Sequence, residues 1–277
     1  MNLNIVIIRP LHSGGYGDLF VAQRQDTGEQ VVIKYLRDPH LTTARKAFAR
    51  EVRILARKLP GLVRLLAWDL NADCPFYVMP YLGGSLKTYA GRLTSEQLQA
   101  VAGELATVLA NLHAQSIFHG DIKPDNILVS WDGRLQVADP LGNGFGCTVL
   151  FSQNRGGTPG YWAPEVRGGA PIHAAGDAYS LGATLYELST GQRPGDDQNL
   201  DPGPWTDAKV REIILACCNR DPAERPTMSE VIRLLGPERW KDIQAQRRQR
   251  QELVGACVLG GLAFLGILVL AQGSESA

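Results

Sequence analysis

The sequence carries no net charge, because 28 Lys plus Arg are balanced by 28 Asp plus Glu. No global field draws the chain to a polyanion, so nucleic acid is not expected as a partner. Cysteine is sparse and unpatterned. The five residues at 74, 147, 217, 218 and 257 form no CxxC pair, and the odd count argues against a structural zinc site or a disulfide framework. Cys257 sits in an apolar run and reads as packing. The N-terminus, MNLNIVIIRP, lacks a basic start, a long apolar stretch and a small-residue cleavage site, so a first strand rather than a signal peptide is expected. Internal repeats and low-complexity tracts are also missing. What remains is a chain of 277 residues, 44% hydrophobic and 20% charged, with room for one large domain or two small ones.

One long hydrophobic run is present. Residues 253–271, LVGACVLGGLAFLGILVLA, hold no charge over nineteen positions. As a helix they would span about 28 Å, close to the thickness of a bilayer's hydrocarbon core. Arg239, Lys241, Arg247, Arg248 and Arg250 precede the run and only Glu275 follows it. The positive-inside rule then keeps the preceding residues in the cytoplasm and puts a short tail, 272–277, outside. The basic linker at 237–252 can touch anionic lipid heads. Ala256 and Gly260 are four apart, a spacing that lets two such helices approach and form a homodimer. The expectation is a single-pass protein of a bacterial membrane, with its large N-terminal part in the cytoplasm and a tail too short to fold as a sensor.

Periodicity divides the rest. LNIVII, DLFVAQ and EQVVIKYL read as strands separated by Gly-rich or Asp-Thr-Gly breaks. Residues 42–59 carry apolar positions at helical spacing after a threonine. Short strands are expected in LVRLLAWDL and PFYVMPYL. Beyond residue 94 helices dominate: a long one from Ser95, taken as its cap, then AAGDAYSLGATLYELSTG and DAKVREIILACCNR, with two short strands around the turn WDGR between them.

HGDIKPDNILV, residues 119–129, concentrates the chemistry. Phosphoryl transfer requires a group that orients a hydroxyl, a cation for the moving phosphate and a hard ligand for magnesium. Asp121, Lys123 and Asn126 supply these in order, and Asp139, eighteen residues after Asp121 and just beyond LQVA, supplies a second hard oxygen ligand.

This set resembles the catalytic loop and metal-binding aspartate of the eukaryotic-like serine/threonine protein kinase family. The resemblance covers roughly residues 5–236. It implies an α+β, two-lobed fold, with a β-rich N-lobe over about 1–82 and a helical C-lobe over about 83–236. It also implies ATP and Mg2+, with Mn2+ as an alternative, and protein substrates. LHSGGYGDLFVA resembles the phosphate loop, in which His12 stands for the first glycine and Gly14 and Gly17 for the others; Leu19 is placed with them at the nucleotide. Lys34 in VVIK resembles the phosphate-gripping lysine and Glu51 its ion-pair partner. In PFYVMPYL, Met79 takes the gatekeeping position, while the Pro80 carbonyl and the Leu82 N–H would hold adenine. GGTPGYWAPE resembles the substrate-binding loop. There Thr158, with Lys123, implies Ser/Thr substrates. Glu165 is expected to pair with Arg225 of DPAERPT, and Asp177 of GDAYSLG to brace the catalytic loop.

Four positions depart from the family pattern. His12 replaces a glycine. Gly120 replaces the arginine before the catalytic aspartate, which removes the usual cationic partner of a phosphorylated activation loop and predicts weak dependence on modification of Thr148 or Ser152. Pro140 and Leu141 replace Phe and Gly after Asp139, which predicts a loop with little freedom to flip. Every charged catalytic position is nonetheless present, which favours an active enzyme over a nucleotide-binding scaffold. The HGD-x4-N loop also fits small-molecule kinases of the aminoglycoside-phosphotransferase type, but GTPGYWAPE, Asp177 and Arg225 argue for the protein-kinase reading.

Overall fold

The alternation of apolar residues in the first strands has a direct structural outcome in the computed structural model, which describes residues 4–13, 17–142, 160–195 and 200–236. Strands β1 (Ile5–Ser13), β2 (Gly17–Arg24), β3 (Gln30–Leu36), β4 (Ala67–Asp69) and β5 (Phe76–Pro80) form one antiparallel sheet in the order β1-β2-β3-β5-β4. Val31 and Ile33 face one side with Ala22, Ala67 and Val78. Val32 and Leu36 face the other, with Tyr77 and Met79, in the main core. Strand period puts Lys34 on this second face, between Val32 and Leu36. A cation is thereby driven inside the sheet's covered side, where it must find carboxylates.

Helix α1 (Thr42–Leu55) covers that face through Ala44, Phe48, Val52 and Leu55. It ends four residues earlier than periodicity alone predicts. Ala56 is its C-cap, Lys58 turns left-handed (φ 54°) and Gly61 follows at φ 85°. A side chain at Gly61 would put its Cβ 2.2 Å from Val108, so the turn is reserved for glycine by contact as well as by φ. The strand expected across LVRLLAWDL shrinks to Ala67–Asp69, because Leu62 instead bridges Val137 and the Val63 N–H donates to its carbonyl.

Helix α2 (Ser95–His113) is capped by Thr94 and not by Ser95. Thr94 Oγ1 accepts from the Gln97 N–H at 3.3 Å, and Gln97 Oε1 accepts from the Thr94 N–H at 2.9 Å, a reciprocal capping box. Leu105, Leu109 and Leu112 run down its fully buried face; each stabilises the fold by about 1.5–3 kcal/mol. A small second sheet joins β6 (Gly84–Ser85), β7 (Ile127–Val129) and β8 (Leu135–Val137) in that order. After it come a single turn, α3 (Pro164–Arg167), then α4 (Ala174–Thr190), α5 (Ala208–Cys217) and α6 (Met228–Leu235). Helix α4 is buried along most of its length and closes on Gly191 at φ 75°. It also carries Asp177, Thr184 and Glu187 into the interior, each needing a partner there. Compactness divides the chain after Leu235, and the residues beyond 236, including the run at 253–271, lie outside the described residues. Among the described residues no helix is long and apolar enough to cross a membrane.

Candidate active site

Lys34 finds its carboxylates from two directions. Its Nζ donates to Glu51 Oε1 at 2.8 Å, from α1, and to Asp139 Oδ1 at 3.0 Å, from the segment after β8. Burial works to lower the lysine's pKa, but Asp139 and Glu51 outweigh it and hold the ammonium charged far above its ordinary range. One cation cannot compensate a buried and a partly exposed carboxylate equally. Burial, reinforced by the nearby Asp139 charge, pushes Glu51 up to about 7 against the pull of Lys34. Burial opposes ionisation of Asp139 too, yet Lys34 prevails and its pKa falls below the ordinary value. Tyr77, opposite Lys34 in the β3–β5 register, donates its hydroxyl to Glu51 Oε1 at 2.6 Å. This fourth member was not foreseen: a tyrosine in an apolar strand reads as core, and only the register reveals its role.

The loop that carries His119, Gly120 and Asp121 is held by α4. Asp177 Oδ2 accepts the His119 N–H and Oδ1 accepts the Gly120 N–H, both at 2.8 Å, and His113 Nε2 lies 2.8 Å from Oδ2. Asp177 thus ties α4 to the backbone of this loop, and His113 shares the carboxylate. Gly120 adopts φ 79°, and a Cβ there would meet Ile172 Cδ1 at 2.5 Å. His119 is fully buried, and burial lowers its pKa, so it is neutral. Its Nδ1 accepts the Asp121 N–H at 3.2 Å, which leaves Nε2 as the protonated nitrogen, donating to the Ala138 carbonyl at 3.1 Å. This histidine ties the loop to the residue preceding Asp139.

Asp121 Oδ2 accepts from Lys123 Nζ at 2.7 Å and from Asn126 Nδ2 at 2.8 Å. Its Oδ1 is buried and has no hydrogen-bond partner among the described residues. A carboxylate with one oxygen held by a cation and an amide, and the other left open, is set up to accept a hydroxyl hydrogen. Asn126 commits its amide nitrogen to Asp121, which directs its side-chain oxygen elsewhere, and its backbone carbonyl accepts the Ala138 N–H at 2.9 Å. Asn126 and Asp139 are thereby brought side by side. One amide oxygen and one partly exposed carboxylate are hard donors that fit a magnesium ion completed by water and phosphate, the arrangement Mg2+ favours. Among the described residues no cluster of three or more His, Cys, Asp or Glu offers a self-sufficient metal cage.

Residues 5–234 match the family model described as the protein kinase domain. The chain belongs to the protein kinase domain family. This kinase domain is 34% identical over 209 residues to the DNA damage-responsive serine/threonine-protein kinase RqkA of Deinococcus radiodurans, covering 69% of this chain and 30% of that protein. It is 30% identical over 256 residues to the probable serine/threonine-protein kinase PkwA of Thermomonospora curvata, covering 85% and 34% respectively. Mitogen-activated protein kinase kinase kinase A of Dictyostelium discoideum is 27% identical over 255 residues, covering 80% and 26%. The chain thus spans about a quarter to a third of the length of these relatives.

The remaining family positions of the kinase domain are distributed around this centre. His12 sits opposite Leu19 in the β1–β2 register, on an exposed strand. Gly17 approaches β3 so closely that a Cβ would fall 2.8 Å from the Tyr35 carbonyl and 3.0 Å from the Lys34 side chain. Met79 is buried, Pro80 pairs with Val31 at the end of β5, and Leu82 is half-buried just beyond it. Gly14, Thr148, Ser152 and Thr158 lie outside the described residues. The Glu165–Arg225 pair is bidentate, at 2.7 and 2.9 Å. Glu187, unforeseen, accepts from both Lys87 and the Tyr161 hydroxyl, tying α4 to the end of the substrate loop. After Asp139 the left-handed positions are Asp139 itself (φ 60°) and Gly142 (φ 70°). Leu141 is not among them and packs on the core.

Proposed function

We propose that this chain is a protein-serine/threonine kinase, transferring the γ-phosphoryl group of ATP to Ser or Thr hydroxyls of proteins with Mg2+, or with Mn2+ in its place. The unpartnered Oδ1 of Asp121, beside Lys123 and Asn126, carries this reading. It accepts the hydrogen of the attacking hydroxyl and aims its oxygen. Lys123 balances charge on the group in flight. Lys34, held by Glu51, which Tyr77 holds in turn, fixes the nucleotide phosphates. A divalent cation, when held by Asn126 and Asp139, supplies further charge neutralisation at the phosphates. Lys123 two residues beyond Asp121, and the serine/threonine kinase relatives, favour Ser and Thr acceptors.

The proposal extends to location. The uncharged run at 253–271 and the basic residues before it support a single C-terminal anchor with the kinase domain on the cytoplasmic face of a bacterial membrane, and Ala256 and Gly260 support pairing of two anchors. Incubation with labelled ATP, magnesium and a generic protein acceptor tests the activity. Transfer to Ser and Thr should fall by about a hundredfold or more in Asp121→Ala. Nucleotide binding without transfer, equal in wild type and variant, would identify a scaffold instead.

A further inference from the structure

The adjoining ends of β1 and β2 have little apolar packing to hold them. β1 is an edge strand whose ladder to β2 slips twice, between Ile7 and Arg9 and between Pro10 and His12. All of it beyond Ile5 is exposed. Ser13 opposite Asp18 is the last rung of that ladder, and Gly17, which opens β2, has no side chain to pack. Terminal rungs of this kind fray. Yet at this end Gly17 lies against Lys34, so close that a Cβ would fall 3.0 Å from Lys34 Cε.

Polar side chains close this end instead. Asp18 pairs with Ser13 on one side and with Tyr35 on the other, and Arg37 comes two residues after Tyr35. Strand period puts them on the outer face of the sheet, opposite Lys34. Arg37 Nη2 donates to Asp18 Oδ1 at 2.6 Å, and Arg37 Nε lies 3.5 Å from Oδ2. The Ser13 hydroxyl donates to Asp18 Oδ1 at 2.6 Å and accepts from Arg37 Nη2. Ser13, Asp18 and Arg37 thus form a closed ring of hydrogen bonds across β1, β2 and the end of β3. The Arg37 guanidinium, and after it the Ser13 hydroxyl, hold the Asp18 carboxyl below its ordinary range, so it stays ionised. Arg37 and Asp18 each keep more than a third of their exposure, 37% and 35%, so their pair adds little to global stability. Its effect is local, at the rungs it closes.

We infer that Arg37 is a positioning residue for the nucleotide: through Asp18 and Ser13 it holds the start of β2 down on β3, and so keeps the Gly17 backbone beside the Lys34 ammonium. A phosphate approaching Lys34 then meets a backbone already in place. Arg37 sits on the opposite face from Lys34, so it acts through the strand and not by touching phosphate. The choice of nucleotide as the ligand rests on the phosphotransfer reading; the hold on β2 does not.

The full chain and its variants are compared by transfer kinetics, calorimetry and amide exchange. Arg37→Gln should raise the KM for ATP about five- to tenfold, with kcat changed about twofold or less and Tm lowered by about 3 °C or less. Arg37→Gln combined with Asp18→Asn should raise KM no further than either alone, since both break one pair. The ratio of variant to wild-type KM should shrink as salt rises from about 0.05 to about 0.5 M, because a pair this exposed is screened. Exchange read without nucleotide should quicken at residues 17–19 in Arg37→Gln and stay unchanged in β5. An unchanged KM, additive effects of the two substitutions, a KM ratio independent of salt, or unaltered exchange at 17–19 overturns the proposal. So does a larger fall in Tm or exchange that quickens throughout the sheet, either of which would make Arg37 a residue of the fold at large. Absence of transfer in wild type would condemn the kinase reading alone, since amide exchange does not depend on it.

Discussion

One lysine serving two carboxylates, of which Glu51 is the buried one, makes the site sensitive to pH at Glu51. Its carboxyl ordinarily titrates at 4.5 and is pushed up to about 7 in the folded chain. Between those values the folded state holds a proton that the unfolded state has released, so this group's contribution to stability falls as pH rises through the window. Activity runs the other way, because a protonated Glu51 no longer anchors Lys34 as an ion pair. Transfer measured as kcat/KM should decline below about pH 7. In Glu51→Gln that limb should vanish and the rate stay low throughout. An unchanged limb in the variant would assign it to another group. Tyr77→Phe should shift the same limb upward, since the hydroxyl's bond to Glu51 favours the ionised carboxylate. The ionisable partners Lys34 and Glu51 were legible in the sequence only through the resemblance of their segments to the protein kinase family. Tyr77 was not, because nothing local distinguishes a hydrogen-bonding tyrosine from a packing one; its role is created by the Lys34–Tyr77 register.

Helices and strands appear where apolar periodicity places them, but their ends are set by contacts that periodicity does not contain. Helix α1 stops at Leu55 because Lys58 and Gly61 must turn to let Leu62 and Val63 meet Val137. The cap of α2 is Thr94, since only a residue one turn before Gln97 can share a reciprocal box with it. Thr94→Ala should therefore cost about 1 kcal/mol in a denaturant titration, and Ser95→Ala a few tenths at most. Equal losses would return the cap to Ser95. The pair joining α3 to the segment before α6 offers a larger effect. The Arg225 side chain is fully buried, while Glu165 retains about a fifth of its exposure. Burial works to raise the Glu165 pKa, but Arg225 pulls it below the ordinary value, so its contribution is present above pH 4.5 and is lost as pH falls through the depressed value. Glu165→Ala leaves the guanidinium buried without its carboxylate and should cost about 3–5 kcal/mol. That corresponds to a fall in Tm of roughly 10 °C for a domain of this size, read by calorimetry. A loss under about 1 kcal/mol would show that the carbonyls of Asn219, Ala175 and Arg220 suffice for Arg225.

For the chain as a whole, the question is whether the core through Leu235 needs the C-terminal residues beyond it. Its buried apolar residues close on one another from Val32 to Leu235, and Lys34, Glu51, Asp121, Asn126 and Asp139 all lie within that span. The run at 253–271 adds hydrophobicity but no chemistry. Separating the proposed anchor from catalysis is then a matter of cutting between them. On the proposed anchoring, the full chain should sediment with membranes and resist extraction by high salt and alkaline carbonate, because an uncharged run of nineteen residues is held by hydrocarbon and not by charge. A chain ending at residue 252 keeps the basic linker and loses the run. It should remain folded and active, and any residual association with anionic vesicles should disappear when salt rises from about 0.1 to about 1 M, as the Debye length contracts from about 10 to about 3 Å. Two results would undo this division. Salt-extractable full-length chain would show that 253–271 does not span a bilayer, and an unfolded truncated chain would show that the run belongs to the core.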